Sequence, residues 1–161
     1  MKEFELNFIP KNKNVNEVKD YARRNKLTGY SNQRKQKLIE LVSSDRKEKA
    51  KNLLSTLQKE IFLEIVNLYD NGKNYEYVIG VTSDFLAERL KIQEKTITEE
   101  LMVIKEKSFL IGEPETYWAT LFDRETGMLG KKETIKTHVW KITENGKKLA
   151  IALLGPYKIK W

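Results

Sequence analysis

The chain has 161 residues and a net charge of +7, with no cysteine and a single histidine, His138. These counts exclude thiol nucleophiles, cysteine-ligated zinc and Cys–His dyads, and the length suits one domain, alone or with an appendage, that can bury its own core. No apolar run approaches the roughly 20 residues of a membrane span, and MKEFELNFIPKNKN lacks the apolar stretch of a secretory signal, so the expectation is a soluble cytoplasmic protein without membrane, metal or cofactor.

The charge is unevenly placed. Residues 1–56 hold 14 basic and 7 acidic side chains, residues 57–115 hold 7 and 12, and residues 116–161 hold 9 and 4. Two basic blocks thus flank an acidic one, which fits attraction to a nucleic acid or another anionic surface, or else a solvated lysine-rich face.

In chain order, Phe4, Leu6, Phe8 and Ile9 alternate with polar residues before Pro10, predicting a short strand or an arm. Asn16 is the predicted cap of a helix over EVKDYARRNK, with Val18, Tyr21 and Ala22 inward and Gly29 as the breaker. A stripe opens at Leu38, Ile39 and Leu41. Ser43-Ser44-Asp45 reads as a break and a new cap, followed by one helix carrying Ala50, Leu53, Leu54, Leu57, Ile61, Ile65 and Leu68 to a stop at Asn71-Gly72.

YEYVIGVT, residues 75–82, alternates as a short strand or extended lead-in. Thr82 or Ser83 then caps DFLAERL, with Phe85, Leu86 and Leu90 inward, and Lys91-Ile92-Gln93 is a turn. Gln93 or Glu94 opens KTITEELMVIKEKS, whose inward set is Ile97, Leu101 and Ile104. Phe109, Leu110 and Ile111 begin an extended segment. Glu113 and Glu115 flank Pro114 in a loop, Thr116–Asp123 is a strand, RETGMLGKK a loose tip, and Glu133–Ile142 the return strand. Thr143 caps a last helix, ENGKKLAIALL, stopped by Gly155-Pro156, and YKIKW packs back on the body.

Over Leu54–Leu154 this order resembles a winged helix-turn-helix domain. TSDFLAERLKIQEKTITEELMVIKEKSFLIG is similar to the helix-turn-helix of bacterial regulators resembling the MarR and PadR families, and WKITENGKKLA to the last wing strand running into its capped helix. The resemblance implies a mostly α fold with a β-hairpin wing (α+β): a winged helix-turn-helix domain with C-terminal helix over 54–161, behind a basic N-terminal extension, an arm plus helices, over 1–53. It further implies a non-enzymatic protein that binds double-stranded DNA as a homodimer, the central and terminal helices joining two copies. Such a protein would serve transcriptional regulation, or plasmid or phage replication or partition. Two features depart from the pattern. The wing is long, 28 residues from Thr116 to Thr143, and Glu99 stands where the families usually show arginine or lysine.

With Ile97, Leu101 and Ile104 inward, the outer face of the recognition helix carries Lys95, Thr96, Thr98, Glu99 and Met102. Glu94 suits the positive end of the helix dipole. Glu99 either accepts a hydrogen bond from cytosine N4 or is a solvated neighbour of Lys95. Since phosphate neutralisation dominates affinity, the cations expected to supply it are Arg124, Lys131, Lys132 and Lys136 of the wing, and Arg23, Arg24, Lys26, Arg34, Lys35, Lys37, Arg46, Lys47, Lys49 and Lys51 of the extension. The helix would select while wing and extension hold the backbone. His138 reads as a pleat position without a second metal-ligand type at recognisable spacing. Trp118, Phe122 and Trp140 read as the wing's packing face or, alternatively, as a platform for unpaired bases. The rival from another class is a docking module whose acidic helix meets a basic protein.

Overall fold

A computed structural model describes residues 5–70, 81–122, 126–155 and 158, and among them six helices and one antiparallel hairpin follow one another. A 3-10 turn at Pro10–Asn12 precedes α1 (Val15–Arg24), α2 (Lys35–Lys51), α3 (Thr56–Asp70), α4 (Ser83–Leu90) and α5 (Glu94–Glu106); β1 (Leu110–Phe122), β2 (Leu129–Ile142) and α6 (Glu144–Leu154) complete the order. The class is α+β, mostly helical, as expected. No described helix is long and apolar enough to cross a membrane. Residues 75–80 of the expected lead-in, the Asn71-Gly72 stop, Arg124 and the tail apart from Lys158 lie outside the described residues.

The N-terminal segment differs from expectation. Residues 5–13 form a turn and the 3-10 helix rather than a strand: Phe8 N–H donates to Glu5 O at 3.1 Å, and Pro10 occupies the first helical position. Phe8 thereby turns inward and stacks on Tyr21, ring centroids 4.4 Å apart, burying two aromatic faces that a solvated arm would leave wet. The cap of α1 is Asn14, not Asn16. Asn14 Oδ1 accepts from Glu17 N–H and the Glu17 carboxylate accepts from Asn14 N–H, both at 2.9 Å. Only Asn14 has a glutamate three residues ahead to close this reciprocal pair. The helix ends at Arg24, ahead of Gly29, and Lys26 itself takes the left-handed conformation at φ 55°.

The expected break at Ser43–Asp45 is also displaced. α2 runs unbroken through it, because Ser44 Oγ donates back to Glu40 O (3.0 Å) and the Asp45 carboxylate takes the Lys49 ammonium (2.7 Å), so both side chains are satisfied within a helix. The chain breaks at Asn52–Ser55 instead. There Gln58 N–H donates to Ser55 Oγ and Ser55 N–H to Gln58 Oε1, both at 3.1 Å, which starts α3 with a Ser-x-x-Gln box.

The apolar side chains gather in two clusters. The larger joins α3, α4, α5, the root of the hairpin and α6 around Ile61, Phe62, Ile65, Leu86, Leu101 and Leu149; the smaller holds Phe8, Val18, Tyr21, Ala22, Leu38 and Val42. α2 belongs to both, contributing Leu38 and Val42 at one end and Ala50 at the other, and it packs along α6. The extension is therefore a helical layer laid on the C-terminal helix. The apolar stripes of α3 and α6 are buried in the larger cluster.

The hairpin reaches further toward its root than expected. β1 starts at Leu110, opposite Ile142, and passes through Pro114, opposite His138, so Glu113 and Glu115 lie in a strand rather than a loop. Proline is tolerated on β1, whose only strand partner among the described residues is β2. The root is clamped. Trp140 N–H donates to Val81 O (2.8 Å), its indole N–H to Ser83 Oγ (3.1 Å), and Tyr69 OH donates to Trp140 O (2.8 Å). Opposite the indole, a Cβ on Gly112 would come within 3.1 Å of the ring. Thr143 caps α6 as predicted, accepting from Gly146 N–H (3.0 Å) while its hydroxyl donates to Ser108 O (2.6 Å). That junction is tight enough to require glycine at 146, where a Cβ would lie 2.2 Å from Phe109 O.

Candidate nucleic-acid interface

α4, the turn and α5 stand as the sequence predicts. Lys91 adopts the left-handed conformation (φ 56°, ψ 41°), Ile92 N–H donates to Ala87 O (3.1 Å), and α5 opens at Glu94. Ile97, Leu101 and Ile104 are wholly buried, which turns Lys95, Thr98, Glu99 and Met102 outward and leaves Thr96 half-buried. The back of α5 is tied down by a polar network: Gln58 Nε2 donates to the Glu100 carboxylate (2.8 Å), and Lys107 Nζ donates to Leu53 O (2.8 Å) and Gln58 Oε1 (3.2 Å). Glu100 is thus an internal acceptor, and the outward acids of this helix's first two turns reduce to Glu94 and Glu99. Among the described residues neither Lys95 nor Glu99 joins an ion pair, although they are four residues apart.

The extension's cations divide into two groups. Arg46 is a correction. It is 2% exposed, with its guanidinium donating to Glu5 O (2.6 Å) and Leu6 O (3.3 Å), so it fastens the N-terminal segment and cannot meet a phosphate. Burial pulls its pKa down and pushes that of the adjoining Tyr21 phenol up to about 12, with Asp45 adding to the Tyr21 shift and Arg46 opposing it. Arg24 pairs with Glu5 (2.6 Å), Arg23 with Asp20 (3.2 Å), Lys49 with Asp45 (2.7 Å) and Lys51 with Glu48 (2.5 Å). Arg34, Lys35, Lys37 and Lys47 are exposed and join no ion pair among the described residues. The first three crowd the start of α2, which has no side-chain cap and no acid in its first turn. Cations at the positive end of a helix dipole are disfavoured by the fold itself.

On the hairpin the pleat sorts charge. Pro114, Thr116, Thr134, Lys136 and His138 occupy one alternating set of paired positions and are all exposed. Positions 118, 120 and 132 continue that set, which contains no carboxylate. Glu113, Glu115 and position 133 belong to the other set with Ile135, Thr137 and Val139, and Lys141 there pairs with Glu113. Trp140 is buried at the root, fulfilling its expected packing role, whereas the side chains of Trp118, Phe122, Lys131 and Lys132 lie outside the described residues. At the tip, Met128 and Leu129 are 70% and 76% exposed. In the sequence they lie within the loose tip RETGMLGKK as two large apolar residues set between Gly127 and Gly130. Comparison with protein-family models, with curated proteins and with solved structures finds no match.

Proposed function

We propose that this protein binds double-stranded DNA with a winged helix-turn-helix domain and acts as a transcriptional regulator or as a plasmid or phage replication or partition protein. The observation that carries the reading is the joint presentation of α5 and the hairpin. α5 is held from behind by three buried apolar side chains and the Gln58 network, and its outer face carries no partner among the described residues. The hairpin that follows is anchored to the residue leading into α4 through the Trp140–Val81 hydrogen bond. A helix fixed this way can enter a major groove while the ribbon reaches an adjacent backbone.

In this reading Lys95, Thr96 and Thr98 contact phosphates or a thymine methyl group, and Glu99 accepts from cytosine N4. Lys136, with Lys132 on the same pleat, supplies backbone contacts from the ribbon, and Arg34, Lys35, Lys37 and Lys47 supply them from α2. The placement of three of these four against the dipole of α2 supports that assignment, since folding alone does not favour it.

The test is fluorescence anisotropy with a labelled random duplex and the matching single strand at about 50 and about 200 mM salt, where phosphate-driven binding changes steeply. Duplex-preferring binding that collapses at the higher salt is expected. No binding to either strand form would transfer the outward face of α5 to a basic protein partner, and preference for the single strand would move attention to the tryptophan-bearing ribbon.

A further inference from the structure

We propose that Met128 and Leu129, at the tip of the hairpin, form an apolar wedge that enters the minor groove of duplex DNA and opens a base step, bending the duplex. The proposal rests on the DNA-binding reading and adds a deformation of the DNA to it. Leu129 and Met128 are the two most exposed large apolar side chains among the described residues, at 76% and 70%, well beyond Met102 and Ile111 at 45%. Neither contributes to the two apolar clusters that hold the fold together. Stability therefore does not account for them.

The ribbon carries this tip away from the body. From Pro114, where the exposed pleat begins, to Phe122 it spans nine residues, about 30 Å at about 3.3 Å per residue. The charge pattern along that length identifies what the tip meets. Over residues 110–142 five acidic and five basic side chains cancel, so the hairpin as a whole has no net attraction for an anionic surface. The pleat keeps the acids to one side: the exposed set with Thr116, Thr134, Lys136 and His138 has no carboxylate, while Glu113 and Glu115 belong to the opposite set, where Lys141 pairs with Glu113. The carboxylate-free side is the one that meets a phosphate backbone without like-charge repulsion, and a ribbon laid on that side brings its tip against the duplex. Methionine and leucine are among the side chains that unstack base steps from the minor groove, where the cost of unstacking is offset by the contacts a bent duplex permits. Two apolar side chains alone are a small area for holding a protein to a bilayer, which further favours DNA.

The experiment uses the full chain and a duplex of about 30 base pairs with a donor and an acceptor dye at its ends and 2-aminopurine at a central TA step, a flexible step that opens readily. Binding is read by anisotropy, bending by energy transfer and unstacking by 2-aminopurine fluorescence. For the wild type, both transfer and 2-aminopurine emission are expected to rise on binding. M128A/L129A is expected to lose both rises and to bind about ten-fold more weakly, as removal of a wedge requires, with an unchanged thermal melt because neither residue is in the core. M128L/L129M keeps both apolar groups and should retain bending. Duplex binding that leaves the DNA straight, or bending that M128A/L129A preserves, overturns the wedge and leaves the DNA-binding reading in place. No duplex binding, together with tip-dependent sedimentation on phosphatidylserine vesicles, overturns both.

Discussion

The N-terminal layer and the hairpin use charge in opposite ways. In the layer, half of the cations named from the sequence are taken up by carboxylates or carbonyls: Arg46 is buried on two backbone carbonyls, Arg24 holds Glu5, and Lys49 bridges Asp45 and Asn25. In the hairpin, acids and bases cancel in number, yet the alternation of a strand leaves one face without a carboxylate. Segment charge is therefore a poor guide to what a segment offers a polyanion. The side-chain period and the inward contacts determine that.

Packing dictates the residue most strictly at two places, Gly146 and Arg46. Gly146→Ala should cost at least about 3 kcal/mol of stability in urea unfolding, since its Cβ would sit 2.2 Å from Phe109 O and 2.7 Å from Ile142 Cγ2. A near-neutral result would mean that the root of the hairpin is looser than its contacts imply. Arg46→Ala should cost about 2–4 kcal/mol, because Glu5 O and Leu6 O lose a charged donor in a buried site. If it instead leaves stability intact and abolishes duplex binding, Arg46 belongs with the functional cations and the division between the two regions fails.

A smaller effect concerns pH. The Tyr21 phenol is held protonated by burial, its pKa moving from 10.0 to about 12. The folded state thus keeps that proton more tightly than the unfolded chain, so the contribution is complete below pH 10 and lost as pH rises from 10 toward 12. Tyr21→Phe should flatten this alkaline limb in unfolding free energies; persistence of the limb would assign it to another group.

The surface substitutions should leave stability within about 0.5 kcal/mol while changing binding. Neutralising Arg34, Lys35 and Lys37 together should reduce the logarithmic salt dependence of duplex binding by about 0.9 for each phosphate they had neutralised. Lys136→Ala should correspond to about one such phosphate, and Glu99→Ala should change random-duplex affinity least of all. A reversed ranking, with Glu99→Ala the most damaging, would make α5 rather than the cations the source of affinity.

Several elements were legible because their causes are local. The Lys91–Gln93 turn, the inward set Ile97, Leu101 and Ile104, and the Thr143 cap each depend on residues within a few positions of one another, and each stands where periodicity and capping chemistry put it. The misplacements are local rules with two candidate solutions. Asn14 and Asn16 both suit a cap, and Ser43–Asp45 and Ser55 both suit a helix start; the outcome turned on which could close a reciprocal pair, with Glu17 and with Gln58. The candidate site was legible as a set of residue types on α5 and the ribbon, but its membership was not.

What the sequence by itself determined is the succession of elements from α4 onward and the apolar face of α5, since both follow from the 3.6-residue period, the strand alternation and the chemistry of the caps. Tertiary structure alone decided which charges remain outside. Arg46 meets Glu5 and Leu6, 41 and 40 residues away, Gln58 meets Glu100 across 42, and the ribbon's carboxylate-free face exists only once β1 and β2 pair in their particular register. Contacts over such separations leave no trace in local periodicity, because they are set by how the helices pack and not by what any single segment prefers.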